Sequence, residues 1–367
     1  MTRLQPWKVT GLVAGGLVGT AATTVAALTA THHKRIATQR SLAAELGEDR
    51  LEELPPGREF TVAADDGLPL SVEELDPADG GAPELTVLLL HGYTLDRRSW
   101  HFQRLHFAES TEPRVRQVLY DIRSHGRSGR SRRDACTLEQ LGRDLDAVIR
   151  ATAREGPLVL VGHSLGGMTI MALAEHHPEL FVDRVAGLAF LNTSAGDIGR
   201  SGLPKPILSR RNPIMPVAKR ISRWPPSALA VEHGRDVAGH LIWSLIRKLA
   251  FGDEKVSPAL VELMNTMMRQ TSFEVMTDFL ALFGAHNRYA ALAGLNYVKA
   301  LVLGSDGDRV IQWEHSEAIA ALLPDAELVR VYNSGHMTMM EQPERVNGHL
   351  TELLERCSGR YPRLQVS

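Results

Sequence analysis

The segment Gly162-His163-Ser164-Leu165-Gly166 constrains this chain more than any other. An apolar run, Pro157-Leu158-Val159-Leu160-Val161, precedes it. A helix-like stretch, Gly167-Met168-Thr169-Ile170-Met171-Ala172-Leu173, follows it. The pattern is strand, sharp turn, helix, with a serine at the apex. A hydroxyl on such a turn is forced into an unusual backbone conformation and out of the packed layer. Side chains at 162 or 166 would collide with the strand or the helix, so glycine stands at both. The helix N-terminus then faces the reacting atoms and favours developing negative charge.

The rest of the chain supplies the layers that such a turn needs. Leu85-Thr86-Val87-Leu88-Leu89-Leu90 is a nearly continuous apolar run, as expected for a strand buried on both faces. Val115 to Tyr120, Val185 to Leu191, Ala300 to Leu303 and Leu328 to Tyr332 read as further strands. Glu59 to Ala64 and Leu68 to Glu74 flank an Asp65-Asp66-Gly67 turn and predict a hairpin. Thr137-Leu138-Glu139-Gln140 has the spacing of a capping box, opening a helix with Leu141, Leu145, Val148 and Ile149 on one face. Glu314 to Leu323 has helical spacing. A last helix carries Val346, Leu350, Leu353, Leu354 and Cys357, with Pro343 near its start. Strands alternating with helices predict an α/β fold: a mainly parallel sheet with helices on both faces.

Residues 196–290 interrupt the alternation. Six prolines punctuate their first part, and helical patterns run through Val237–Ala250, Pro258–Gln270 and Phe273–Phe283. A helical insertion between two strands reads as a cap. Some of its apolar side chains, among them Trp243, Met264, Met267, Met268, Met276, Phe279 and Phe283, are candidates to line an apolar pocket. From Arg200 to Arg223 there are seven basic residues and no acidic one, with apolar residues between them. That pattern suits either a solvated cap loop or a surface facing anionic headgroups.

The N-terminus differs in kind. Val9 to Ala30 is uncharged and long enough to span a bilayer, which takes about 20 apolar residues. It holds four glycines and five threonines, with Arg3 and Lys8 before it and Lys34, Arg35 and Arg40 after it. It reads as a single-pass membrane anchor, a transmembrane helix, at the cell membrane. A signal peptide removed on secretion is the alternative. The expected organisation is residues 1–35 as anchor or signal, 36–57 as connector, 58–195 and 291–367 as core, and 196–290 as helical cap.

Charge and cysteines exclude little but point nowhere else. A net charge of −2 over 367 residues gives no field suited to nucleic acid. Cys136 and Cys357 are far apart in sequence, and no Cys-x-x-Cys or His-Glu-x-x-His pattern suggests a metal. The expectation is no cofactor and no metal.

A serine hydroxyl is a poor nucleophile at neutral pH, so a histidine must take its proton and an acid must orient that histidine. His336, in Asn333-Ser334-Gly335-His336-Met337, follows a strand directly; His286 and His315 are alternatives without that context. The strand Leu301-Val302-Leu303 ends in Gly304-Ser305-Asp306-Gly307-Asp308, which offers two carboxylates. An acyl-transfer site also needs backbone donors for an oxyanion. The amide of Leu165, just after the serine, is one candidate. The amide of Tyr93 is the other, in the loop where Leu88-Leu89-Leu90 runs into His91-Gly92. His91 itself reads as a residue that organises this loop.

With these residues in view, the chain from about 58 to 357 resembles the α/β-hydrolase fold family, particularly capped bacterial serine hydrolases. The resemblance rests on His91-Gly92, Asp121-Ile122-Arg123-Ser124-His125-Gly126-Arg127-Ser128, the turn from Gly162 to Gly167, and Gly335-His336-Met337, in family order. It implies Asp308 as the acid, since Asp308-Arg309-Val310-Ile311 follows the family pattern; the proline usual after this acid is absent. It implies an esterase- or lipase-like serine hydrolase acting through Ser164, Asp308 and His336, with a small or lipid-like carboxylic ester as its substrate. Thioester or amide hydrolysis, carbon–carbon cleavage, perhydrolysis and acyl transfer would use the same triad. A non-catalytic, membrane-anchored binding protein is the rival of a different class.

Overall fold

A computed structural model describes residues 51, 54–198, 247–253 and 256–358. Eight strands form one sheet: β1 (Arg58–Ala63), β2 (Pro69–Leu75), β3 (Leu85–Leu90), β4 (Val115–Tyr120), β5 (Leu158–His163), β6 (Val185–Leu191), β7 (Lys299–Ser305) and β8 (Glu327–Val331). Their order is β1-β2-β4-β3-β5-β6-β7-β8. The β1–β2 and β2–β4 pairs are antiparallel, and every other pair is parallel. The carboxyl ends of β3, β5, β6, β7 and β8 therefore share one edge. Loops that leave a parallel sheet at this edge converge, which makes it the natural place for a site.

The apolar runs explain the layers. Along β3, Leu88 and Leu90 point to one face and Val87 and Leu89 to the other, and all four are fully buried. On the first face lie α2 (Leu138–Thr152) and α3 (Leu165–His176). On the second lie α1 (His101–Glu109) and α10 (Pro343–Cys357), which buries Val346, Leu350, Leu353 and Leu354. Helix α2 starts where the capping pattern predicts: the Thr137 hydroxyl accepts the Gln140 amide at 3.2 Å. The Gln140 side chain does not complete the box; it turns to Asp65 and Asp144. Helix α4 (Pro178–Asp183) leads into β6, and α8 (Trp313–Ala320) packs beside β7 and β8.

Between β6 and β7 the described residues form helices and no ladder strand: α5 (Pro258–Gln270), α6 (Phe273–Ala285) and α7 (Tyr289–Ala293). Residues 247–250 are helical as well. Met264, Met267, Phe279 and Phe283 are buried, while Met268 and Met276 are half-buried. The chain leaves β6 and returns towards β7 through a pinched neck. There the Arg288 amide donates to the Ala195 carbonyl at 2.6 Å, and an isolated bridge joins Gly196 to Asn287. Trp243, most of the helix expected at Val237–Ala250 and the basic stretch Arg200–Arg223 lie outside the described residues. A short helix, α9 (Thr338–Glu341), links the loop after β8 to α10.

The expectation of a membrane anchor is corrected. Among the described residues no helix is long and apolar enough to cross a membrane. The structure therefore does not support a membrane localisation, a transmembrane helix or the membrane as a partner through residues 9–30. The composition supplies the physical reason: four glycines and five threonines dilute the stretch that suggested an anchor, so length and lack of charge overstated its hydrophobicity. Residues 1–35, the alternative signal segment included, lie outside the described residues.

Candidate active site

The serine turn is as tight as its sequence requires. Strand β5 ends at His163, and Ser164 holds φ 53° and ψ −114° before α3 begins at Leu165. A positive φ on a residue with a side chain is a strained conformation that surrounding contacts must hold. The Ser164 amide donates to the Leu191 carbonyl at 3.0 Å. Its carbonyl accepts the Thr193 hydroxyl at 2.6 Å. A methyl group at Gly162 would run into the backbone of Gly166 and Gly167, and one at Gly166 into the Leu90 carbonyl of β3. Both glycines are close-approach positions, as the motif implies.

Two loops from later strands meet beside this turn. Asp308, in the loop after β7, is buried. One carboxylate oxygen accepts the amides of Val310 at 2.8 Å and Ile311 at 2.9 Å. The other accepts His336 Nδ1 at 2.8 Å and Asn192 Nδ2 at 3.0 Å. With Nδ1 occupied as donor, Nε2 of His336 is the nitrogen that can take a proton. The His336 ring lies 4.7 Å, centroid to centroid, from the ring of His163, the residue before Ser164. The structure thus brings Ser164, Asp308 and His336 to one edge of the sheet. Asp306 is exposed, and its amide donates to the Val331 carbonyl. The two alternative histidines sit together elsewhere: His286 Nε2 donates to the Ser194 carbonyl at 2.7 Å, and His315 Nδ1 is 2.9 Å from the Ser194 hydroxyl. Burial pushes His286 down to about 4.

The loop after β3 packs onto the same turn. A methyl group on Gly92 would lie 2.7 Å from His163 Nδ1 and 3.2 Å from Ser164 Cβ. Tyr93 follows at once. Leu165 is the first residue of α3, where helix geometry leaves the amide without an intrahelical acceptor. His91 organises the loop: its Nδ1 donates to the Gly92 carbonyl at 2.8 Å, and its Nε2 accepts the Ile122 amide at 2.9 Å. The Tyr93 hydroxyl donates to the Met276 carbonyl in α6 at 2.5 Å, and its ring meets Phe283 edge-on with centroids 5.2 Å apart. Burial raises the Tyr93 phenol well above its ordinary range, so it stays a neutral donor.

Three residues that sequence reasoning missed hold this arrangement. Asn192 follows β6 with φ 45°, and its amide group reaches Ser305 Oγ, Asp308 and the Gly335 carbonyl at 2.9, 3.0 and 3.3 Å. His163 Nε2 donates to the His336 carbonyl at 2.8 Å. Glu341, five residues after His336, binds the amide of Gly335 at 2.6 Å. An asparagine ending an apolar strand was the only local signal among them; the other two act through contacts between distant segments.

Among the described residues, Glu327, His349 and Glu352 have ligand atoms close enough to share a cation. Arg356 already pairs with Glu327 at 2.9 Å, so the group works as an ion-pair network, away from Ser164. A cleft of about 550 Å³, lined by Pro83, Glu84, Arg154 and Pro157 among others, opens at the amino ends of β3 and β5, the edge opposite Ser164.

The sequence signature of the alpha/beta hydrolase family matches residues 87–349, and the chain belongs to that family. The AB hydrolase superfamily protein YisY of Bacillus subtilis is 25% identical over 268 residues, which are 72% of this chain and 90% of that protein. The sn-1-specific diacylglycerol lipase ABHD11 of Mus musculus is 24% identical over 290 residues, 78% of this chain and 85% of the lipase. Among solved structures, a thermophilic esterase from Thermogutta terrifontis superposes with a TM-score of 0.63 at 25% identity, covering 82% of this chain and 99% of the esterase. The chain is a hydrolase of this family.

Proposed function

We propose that the chain is a serine hydrolase that cleaves carboxylic esters through Ser164, His336 and Asp308. The observation that carries the reading is the 2.8 Å bond from His336 Nδ1 to Asp308, formed at the sheet edge that also holds the strained Ser164. In the proposed reaction, His336 Nε2 takes the Ser164 hydroxyl proton as Oγ attacks the ester carbonyl. The amides of Tyr93 and Leu165 donate to the resulting oxyanion, aided by the N-terminal end of α3. The imidazolium, stabilised by Asp308, then gives its proton to the leaving alkoxide. Water repeats the sequence on the acyl-enzyme and frees a carboxylic acid and Ser164. The reaction balances without a cofactor.

An ester rather than another acyl compound is favoured by two of the relatives whose names state an activity, a diacylglycerol lipase and an esterase. The described helices inserted between β6 and β7, α5 and α6, act as a cap on this core. The apolar side chains that α6 brings to Tyr93, Phe279 and Phe283, suit an apolar acyl group beside the oxyanion loop.

The decisive experiment is hydrolysis of p-nitrophenyl esters of graded chain length by wild type and Ser164→Ala. The variant is expected to lose about 10³-fold or more in turnover while keeping its fold, and to lose labelling by a fluorophosphonate. Wild-type turnover by the purified variant would refute the nucleophile. Parallel thioester and amide substrates show whether the ester is the preferred class.

A further inference from the structure

The loop that carries His336 is anchored on every side. The Gly335 carbonyl accepts the hydroxyls of Ser305 at 2.5 Å and Thr338 at 2.8 Å. The His336 carbonyl is held by His163, and the Met337 amide donates to the Ala250 carbonyl at 3.0 Å. The remaining anchor is a charged one. Glu341 Oε1 accepts the Gly335 amide at 2.6 Å and the Ser334 hydroxyl at 3.3 Å. Its Oε2 accepts the amides of Gly252 at 2.8 Å and Asp253 at 3.1 Å.

This carboxylate therefore joins two segments that the sequence separates widely. One is the loop ahead of His336. The other is 250–253, where the helical residues 247–250, within the insertion between β6 and β7, run into a loop. The two touch directly: a methyl group on Gly335 would strike Phe251 and Gly252, and one on Gly252 would strike Ser334 and Gly335. The acid loop joins the same stack, since the Gly307 amide donates to the Ser334 carbonyl at 3.0 Å. Burial raises the Glu341 carboxyl, against the four hydrogen bonds that favour its charge. A partly desolvated carboxylate with four donors from two segments is costly to place, and packing alone does not require it.

We infer that Glu341 is a positioning residue: its carboxylate clamps segment 250–253 to the Ser334–Gly335 backbone and so holds His336 in register with Asp308 and Ser164. The inference rests on the triad reading given above. Glu341 touches no reacting atom, so its loss should change the rate of chemistry more than the binding of a small ester.

The test uses the full chain, with p-nitrophenyl acetate as substrate and active sites counted by stoichiometric fluorophosphonate labelling. In Glu341→Gln the amide keeps one acceptor oxygen but sets an NH2 group against backbone N–H donors, so one segment is released. The expected result is a tenfold or greater fall in kcat per titrated site with KM within twofold of wild type. Glu341→Asp keeps the charge but is one methylene short of spanning both segments, and its kcat should fall between the two. A purely structural role would lower the melting temperature and the number of active sites while leaving kcat per site unchanged, and that outcome overturns the inference. If Glu341→Gln does not fold, Glu341→Asp decides by the same split: a threefold or greater loss of kcat supports the clamp, and wild-type kcat removes it. Ser164→Ala runs alongside. Full activity there would fail the triad reading itself, whereas an inactive Ser164→Ala with wild-type kcat per site in the Glu341 variants fails the clamp alone.

Discussion

Asp308 is the residue on which the candidate site converges. Its two oxygens accept four hydrogen bonds, two from backbone amides of its own loop, one from Asn192 and one from His336. The backbone pair fixes the carboxylate plane, and Asn192 closes the side left open. Asp306, two residues earlier, lies exposed, although from sequence the two carboxylates were alternatives. Asp308→Asn is expected to lower kcat by about 10⁴-fold, because an amide cannot hold the imidazole in the proton-accepting tautomer or stabilise its charged form. Asp306→Asn should leave kcat within a few-fold of wild type. Steady-state kinetics on one ester decide the matter, and the opposite ranking of the two variants would reassign the acid.

At the scale of elements, what was legible depended on where the information lay. Strand β3 begins and ends where its apolar run does, because a strand buried on both faces is apolar almost throughout; β4 keeps its expected ends as well, although it carries Arg116 and Gln117. The hairpin strands and β8 shift by one residue, since their ends are set by pairing rather than by hydrophobicity. Helix α1 had no legible period: its buried side is His101, Gln103, Arg104 and Phe107. The Gln103 amide nitrogen donates to the Met339 carbonyl and to Asn347, and the Arg104 guanidinium donates to Glu73, partners found only in the folded chain. The serine turn was legible because it is local, whereas His163 and Glu341 were not, because their partners are the His336 loop and segment 250–253. The start of α2 is a local signal with a measurable worth. Thr137→Ala removes the cap on the Gln140 amide and should destabilise the protein by about 1 kcal/mol. The check is a urea titration, in which the midpoint should fall while the slope stays constant. An unchanged midpoint would mean that tertiary packing, not the cap, sets this helix end.

Across the whole molecule, buried polar groups tie the loops at the carboxyl edge of the sheet to the core. Arg123 is fully buried and pairs with Asp144 at 2.6 Å and Asp66 at 2.9 Å. Asp121 accepts the amides of Arg97 and Arg127, both at 2.9 Å. Four histidines, His91, His125, His163 and His286, are buried in the same region and kept neutral by desolvation. For His125 the fall is from 6.5 to about 3, and for His286 to about 4. The sign of the pH dependence follows from linkage. Below 6.5 these histidines bind protons in the unfolded chain but not in the folded one, so stability present above 6.5 is lost as pH falls. Each contributes a slope of up to about 1.4 kcal/mol per pH unit until its folded value is reached. Glu341 and Asp144 act in the opposite sense: burial raises both carboxyls, so each binds its proton more readily in the folded state and offsets part of the loss. The lowered carboxyls of Asp66, Asp96 and Glu139 act with the four histidines, and the balance is a net decline. The urea midpoint should therefore be nearly flat from pH 8 to 7 and fall continuously from about pH 6.5 to 4. His286→Gln, which removes one of the four, should make that fall shallower by up to about 1.4 kcal/mol per pH unit. A midpoint that holds steady from pH 7 to 5 would mean that these imidazoles accept protons inside the fold, and that burial does not keep them neutral.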